Sequence, residues 1–315
     1  MIDLHFHLLP GIDDGPRDLD ETVALARAAA DAGVDTIVAT PHVSWEWQNT
    51  RETIAASVRR VDAHLAELEI PIRVRAGAEI ALTRAIYLHD TELRGLTLGG
   101  GPWLLIEPPH VPTAAGVEEL LLHLQHRGHR IVLAHVERCP AFIDDMNMLE
   151  RLVQGGMLAS LTAGSLVGRF GGTVQRFARR LVTNGLIHTV VSDAHDCHRR
   201  PPGLSQELTR AGLREQAAWL TEDVPAAILA GSEIPPTPVW PVLAWIHRFP
   251  RIRRPGVAFA RPKVTAKQRE QPGSPVGASP HQESLQRRPQ LAPPRQPNPQ
   301  HPDPQDRTVD RGSYG

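Results

Sequence analysis

Seven short β-type runs alternate with helical stretches along this 315-residue chain. The runs are IDLHFH (2–7), DTIVATPH (35–42), IRVRAGAEI (72–80), PWLLIEP (102–108), RIVLAHVE (130–137), MLASLTAG (157–164) and IHTVVSDAH (187–195). Between them, LDETVALARAAADAG, RETIAASVRRVDAHLAELE, AAGVEELLLHLQHRG and TVQRFARRLVTNG carry helical periodicity, and three of the four close on a glycine suited to a helix stop. Two short helices are expected near 204–218 and 222–230. Repeated β-then-α units imply parallel strands joined by right-handed crossovers. The expected fold is therefore α/β, a distorted (β/α)7 barrel one unit short of the TIM barrel. An open doubly wound sheet is the alternative.

The barrel is favoured by where the polar residues fall. His5 and His7 end the first run and His42 the second; Glu79, Glu107 and His135 end the third, fourth and fifth; Asp193 and His195 end the seventh. In such a barrel the C-terminal strand ends converge on one face, where active sites are built. Residues i and i+2 of a strand share a face, so His5 with His7, and Asp193 with His195, are spaced to chelate. Any one of these residues alone reads as an ordinary loop histidine or a paired acid. Together they predict a metal site. Asp14, in the loop after the first run, joins the candidate set, and Asp13 is left as a turn residue. Imidazole and carboxylate donors suit Mn, Fe or Zn. Nine candidate ligands are too many for one ion, so two or three ions sharing a carboxylate are expected.

Charge separates the chain into two parts. Residues 247–315 hold 13 Lys+Arg and 5 Asp+Glu; removing these from the totals of 34 and 35 leaves 21 basic and 30 acidic residues in 1–246. An acidic body argues against a nucleic-acid surface. The tail, rich in Pro, Gln and Arg, is too poor in apolar residues to offset ordering entropy, so a domain over 1–235 and a mostly disordered segment over 236–315 are expected. Within that segment, VWPVLAWIHRF (239–249) followed by RIRR (251–254) is read as packing or linker in preference to a membrane-surface anchor. Two cysteines, Cys139 and Cys197, fit a reducing cytoplasm, and no apolar run is long enough to span a bilayer.

The motifs HFH (5–7), TPH (40–42), GAEI (77–80), IEPP (106–109), AHVER (134–138) and SDAH (192–195) resemble those of the PHP (polymerase and histidinol phosphatase) superfamily. DLHFHLLPGIDDGP, AHVERC and the RPP at 200–202 resemble its bacterial capsular-polysaccharide protein-tyrosine phosphatases, as does TEDVPAAILAG (221–231). The resemblance implies the PHP fold, a trinuclear site usually holding manganese, and hydrolysis of phosphotyrosine by metal-bound hydroxide. It implies one ion at His5, His7, Glu79 and Asp193, a second at His42, His135 and Glu79, and a third at Asp14, Glu107 and His195. It assigns Arg138 and Arg200 to the phosphate, with Arg199 as an adjacent alternative. It implies a phosphotyrosine protein as partner, expected to be a tyrosine autokinase of polysaccharide export. The long basic tail departs from the family pattern.

Four alternatives are weighed against it. Cysteine-dependent tyrosine phosphatases place Arg six positions after Cys; here those positions hold Asp145 and Gly203. Amidohydrolases that bridge their metals with a carboxylated lysine are disfavoured because the only lysines are Lys263 and Lys267. Histidinol-phosphate phosphatase shares the expected fold and metals, and a catalytically inactive metal-binding module is the remaining alternative.

Overall fold

The structure, a computed structural model, describes residues 1–111 and 116–238. Among them nine strands form where seven runs are predicted: β1 (Ile2–Phe6), β2 (Thr36–Ala39), β3 (His42–Val43), β4 (Arg73–Ala76), β5 (Glu79–Ala81), β6 (Trp103–Glu107), β7 (Arg130–Leu133), β8 (Leu158–Thr162) and β9 (Thr189–Val191). The second and third runs each break once, giving β2/β3 and β4/β5. Pro41 sits in the first break, where its missing N–H interrupts the ladder. Gly77 sits in the second; a Cβ there would approach Val38 Cγ1 to 2.7 Å, so the close passage of the two kinked strands requires glycine.

All strand pairings are parallel. One sheet runs β1-β2-β4, and the other β3-β5-β6-β7-β8-β9. A parallel bridge between Phe6 and Ala194 joins the ends of β1 and β9, with His7 N donating to Ala194 O (2.9 Å) and Asp193 N donating to His5 O (3.1 Å). The seven units thus form a closed, distorted barrel. Asp3 secures the seam: its buried carboxylate accepts from Ser192 N (3.2 Å) and from His5 N (3.3 Å).

The crossover helices follow from capping and periodicity. Helix Leu19–Asp31 starts at Asp18, whose side chain accepts from Glu21 N. Helix Arg51–Glu67 starts in a capping box between Thr50 and Thr53 and buries Ile54, Val58, Val61 and Leu65, a single 3.6-period stripe. Each such side chain stabilises the barrel wall by roughly 1.5–3 kcal/mol on burial. Two elements differ from the sequence expectation. Helix Leu204–Ala211 stops early because Gly212 takes a left-handed cap (φ +80°), and the last helix Val224–Ala230 is preceded by a π turn at Trp219–Asp223. The sequence also gave no element between residues 138 and 156, where helices Pro140–Asp144 and Met146–Gln154 form; the latter buries Leu149 and Leu152.

Ile234 packs on the core and Trp219 Nε1 donates to Pro235 O (3.3 Å), so residues 234 and 235 rest against the barrel. No helix among the described residues is long and apolar enough to cross a membrane. The expectations for 239–249, 251–254 and the rest of the tail lie outside the described residues.

Candidate metal centre

The C-terminal end of β1 builds the floor of the site. His5 and His7, on one face of the strand, are fully buried, with their Nε2 atoms 3.2 Å apart. Glu79 reaches the same point because β5 lies beside β3 in register, His42 opposite Glu79. Glu79 Oε2 is 3.1 Å from His5 Nε2, 3.3 Å from His7 Nε2 and 3.1 Å from His42 Nδ1, while Oε1 is 2.7 Å from His135 Nε2. One buried carboxylate therefore touches four imidazoles from three other strand ends. Asp193 Oδ1 closes the cluster at 3.5 Å from His5 Nε2 and 3.7 Å from His7 Nε2.

Neighbouring units decide the grouping of the remaining residues. Asp14 Oδ1 lies 3.3 Å from His42 Nε2 and 3.2 Å from His195 Nε2. Glu107 Oε1 lies 3.6 Å from His135 Nε2, across adjacent strands β6 and β7. All nine candidate ligands thus meet at one barrel mouth. Glu107 lies nearer to His135 than to Asp14 and His195, and His42, which also groups with Glu79 and Glu107, stands beside Asp14 and His195. The physical reason is barrel order. The Asp14 loop leaves β1, which is flanked by β2 and by the end of β9, whereas β6 is on the other side of the pocket.

The residues fit bound cations. Glu79 is held ionised well below the usual carboxylate range: burial opposes its charge, and His5 and His135 outweigh burial. Burial pushes His135 and His195 down to about 4, which keeps their imidazoles neutral as ligands must be. His5 Nδ1, His135 Nδ1, Asp193 Oδ1 and His195 Nε2 are buried without a hydrogen-bond partner among the described residues. Such atoms ordinarily cost about 1–3 kcal/mol each. His195 Nε2 and Asp14 Oδ1 approach to 3.2 Å without the geometry of a hydrogen bond, as donor atoms aimed at a common cation do. The only two non-glycine residues of the pocket with left-handed backbone, His135 (φ +29°) and Asp193 (φ +54°), are both in this set. Backbone held in that region marks positions over-determined by a site.

Two arginines line the rim. Arg138 Nη2 donates to Asp193 Oδ2 at 2.6 Å and Arg200 Nη2 donates to the same oxygen at 2.5 Å. Arg138 also lies 4.8 Å from the centre of the Phe170 ring. Arg199 instead donates its backbone N–H to Asp196 and is exposed, so Arg200 is the one aimed inward.

Asp13, set aside as a turn residue, belongs to the site. It is buried, and its Oδ2 is 2.7 Å from His7 Nδ1 while also accepting from His42 N (3.2 Å); Oδ1 accepts from Gly15 N (3.0 Å). A carboxylate on the far nitrogen fixes a ligand histidine's tautomer and orientation. The doubled acid after a His-x-His strand was the available signal. Burial opposes charge on His7, but Asp13 and Glu79 outweigh it and raise its pKa to about 10 in the metal-free protein. At pH 7 a cation must therefore displace a proton from His7 Nε2, and each unit of pH below 10 lowers apparent affinity by up to about tenfold. Calorimetric titration with Mn²⁺ is expected to show a buffer-dependent enthalpy from that released proton. Asp13→Ala is expected to reduce the release, because the Asp13 carboxylate is one of the two groups that raise the His7 pKa. Equal proton release in both forms would show that Asp13 does not act on His7.

The sequence pattern of the family described as capsular polysaccharide synthesis, CpsB/CapC, matches residues 1–218. The chain belongs to the CpsB/CapC family. Tyrosine-protein phosphatase YwqE of Bacillus subtilis is 36% identical over 203 residues, which span 64% of this chain and 79% of that protein. Tyrosine-protein phosphatase CpsB of Streptococcus pneumoniae is 29% identical over 213 residues, 65% of this chain and 87% of that one. A solved structure from the work on YwqE and CpsB, described as metal-dependent tyrosine phosphatases, superposes with a TM-score of 0.67 at 31% identity, covering 76% of this chain and all of that one (100%). A lactonase from Listeria monocytogenes, 12% identical with a TM-score of 0.50 over 74% of this chain and 95% of its own, shares the fold alone. The superposition at a TM-score of 0.67 agrees with the parallel strand order described above.

Proposed function

We propose that residues 1–235 of this chain form a metal-dependent protein-tyrosine phosphatase, and that the nine candidate ligands hold two or three manganese ions. The observation that carries the reading is the convergence of five histidines, two glutamates and two aspartates beneath two arginines at one barrel mouth. The grouping supports His5, His7, Glu79 and Asp193 for one ion, Glu79, Glu107 and His135 for another, and Asp14, His42 and His195 for a third. Divalent cations held there supply Lewis acidity and activation of water.

The chain's own residues do the rest. Glu79 and Asp193 bring negative charge that keeps the cations together. Arg138 and Arg200 place guanidinium groups at the rim, where their planar forks suit phosphoryl oxygens. His5, His7 and Glu79, all fully or nearly fully buried, exclude bulk water from the floor. A tyrosyl oxygen leaves with a pKa of about 10, so the leaving group needs no strong acid from the protein. The described barrel holds no lysine to serve as a carboxylated bridge, and Glu79 occupies that position.

The partner is a phosphotyrosine protein, and within the capsular family a tyrosine autokinase of polysaccharide export is the proposed one. The two free cysteines, Cys139 buried and Cys197 exposed, support a reducing cytoplasm. Elemental analysis of the purified chain, followed by turnover assays with Mn²⁺, tests the reading. Phosphotyrosine peptide should be hydrolysed and the activity abolished by a chelator. Preference for histidinol phosphate would reassign the substrate, and no turnover of either with Mn²⁺ added would make the chain an inactive binding module.

A further inference from the structure

His110 was not singled out in the sequence, yet it reaches the metal centre. It follows Glu107 by way of Pro108 and Pro109, and the fixed φ of two prolines stiffens the turn that carries it. Cys139 Sγ donates to Pro109 O at 3.8 Å, which ties that turn to the buried start of helix Pro140–Asp144. His110 Nε2 stands in hydrogen-bond geometry 3.1 Å from Glu107 Oε1, and the same oxygen lies 3.6 Å from His135 Nε2. The His110 and His135 rings are 5.0 Å apart, and one donor atom from each of the three residues falls within 4.8 Å of the others.

These separations fit a shared cation. Two donors each about 2.0–2.2 Å from one ion stand roughly 3.0–3.5 Å apart in octahedral or tetrahedral geometry. The side chain of His135 is buried, while that of His110 is 42% exposed. His110 therefore approaches the Glu107–His135 edge from the open side. Resting on the metal-dependent reading above, we propose that His110 is an additional protein ligand of the ion held by Glu107 and His135. An extra imidazole there raises affinity for that ion and shifts the preference of the edge toward metals that favour nitrogen, such as Zn²⁺ and Co²⁺, relative to Mn²⁺.

The full chain, stripped and titrated with Mn²⁺ or Co²⁺ against a metallochromic chelator, tests this without an activity assay. His110→Ala and His110→Gln are both expected to weaken one ion by at least about tenfold and to alter the visible spectrum of the Co²⁺-loaded protein. The glutamine variant keeps an N–H for Glu107 but is a poor ligand. If it binds like wild type while alanine does not, His110 only orients Glu107 and the ligand assignment is overturned. If both variants match wild type in affinity and spectrum, His110 touches no ion. A wild-type chain that takes up neither metal would sink the metal reading itself. Circular dichroism of each variant checks that the barrel is intact.

Discussion

Glu79→Gln is expected to lower kcat/KM for a phosphotyrosine peptide by at least about a thousandfold, equivalent to roughly 4 kcal/mol of transition-state stabilisation. Both of its oxygens contact imidazoles, from His5, His7, His42 and His135, which come from three different strand ends. Glutamine is nearly isosteric but neutral, and it turns an N–H₂ toward nitrogens that must remain lone-pair donors. Cation repulsion in the cluster then has no central anion to offset it. Elemental analysis should find fewer bound ions per chain. Removing one partner from a buried charge set also costs about 3–5 kcal/mol, so the metal-free variant should melt earlier than metal-free wild type. Full metal content with normal turnover would remove Glu79 from the centre.

Arg138→Ala should behave in the opposite way with respect to metal. Turnover is expected to fall by about 10²–10³-fold, the scale for losing one preorganised donor to developing oxyanion charge. Metal content should stay at the wild-type level, because the arginine donates to Asp193 Oδ2 and leaves Oδ1 facing His5 and His7. Burial opposes the charge of Asp193, and Arg138, His5 and Arg200 together hold the carboxyl ionised, so one arginine lost leaves it still paired through Arg200. Arg138→Lys should recover little, since an ammonium cannot reproduce the planar fork. A variant with unchanged kcat and KM would assign Arg138 to holding Asp193 and Phe170 alone. The contrast between the two substitutions separates the residues that hold ions from those that meet phosphate.

Much of the site was legible because strand chemistry is local. His5 and His7 share a face by the period of two, and a polar residue ending an apolar run stands out without any alignment. Other features were hidden because they depend on what a side chain meets. Asp13 and Asp14 are adjacent and chemically identical in sequence. Only the folded loop turns Asp13 inward to His7 Nδ1 and leaves Asp14 half-exposed between His42 and His195. His110 was hidden for a related reason: nothing in its spacing from Glu107 shows that a Pro-Pro turn folds it back on that carboxylate. The helix Met146–Gln154 was missed although its apolar positions have helical spacing, since Asp145 caps it only once Pro140–Asp144 has turned the chain.

The order of residues along the chain determined that parallel βα units would gather a histidine-rich set at their strand ends, because strand period and crossover handedness are properties of the backbone; closure into a barrel was favoured over an open sheet only by where those polar residues fall. Which ligands stand together was decided by the tertiary structure. Closure through Phe6 and Ala194 brings the first strand against the last, so that Asp14 and His195 become neighbours while Glu107 is left to His135. Ions are shared across adjacent strand ends in space, and a linear chain carries no record of where its ends will meet.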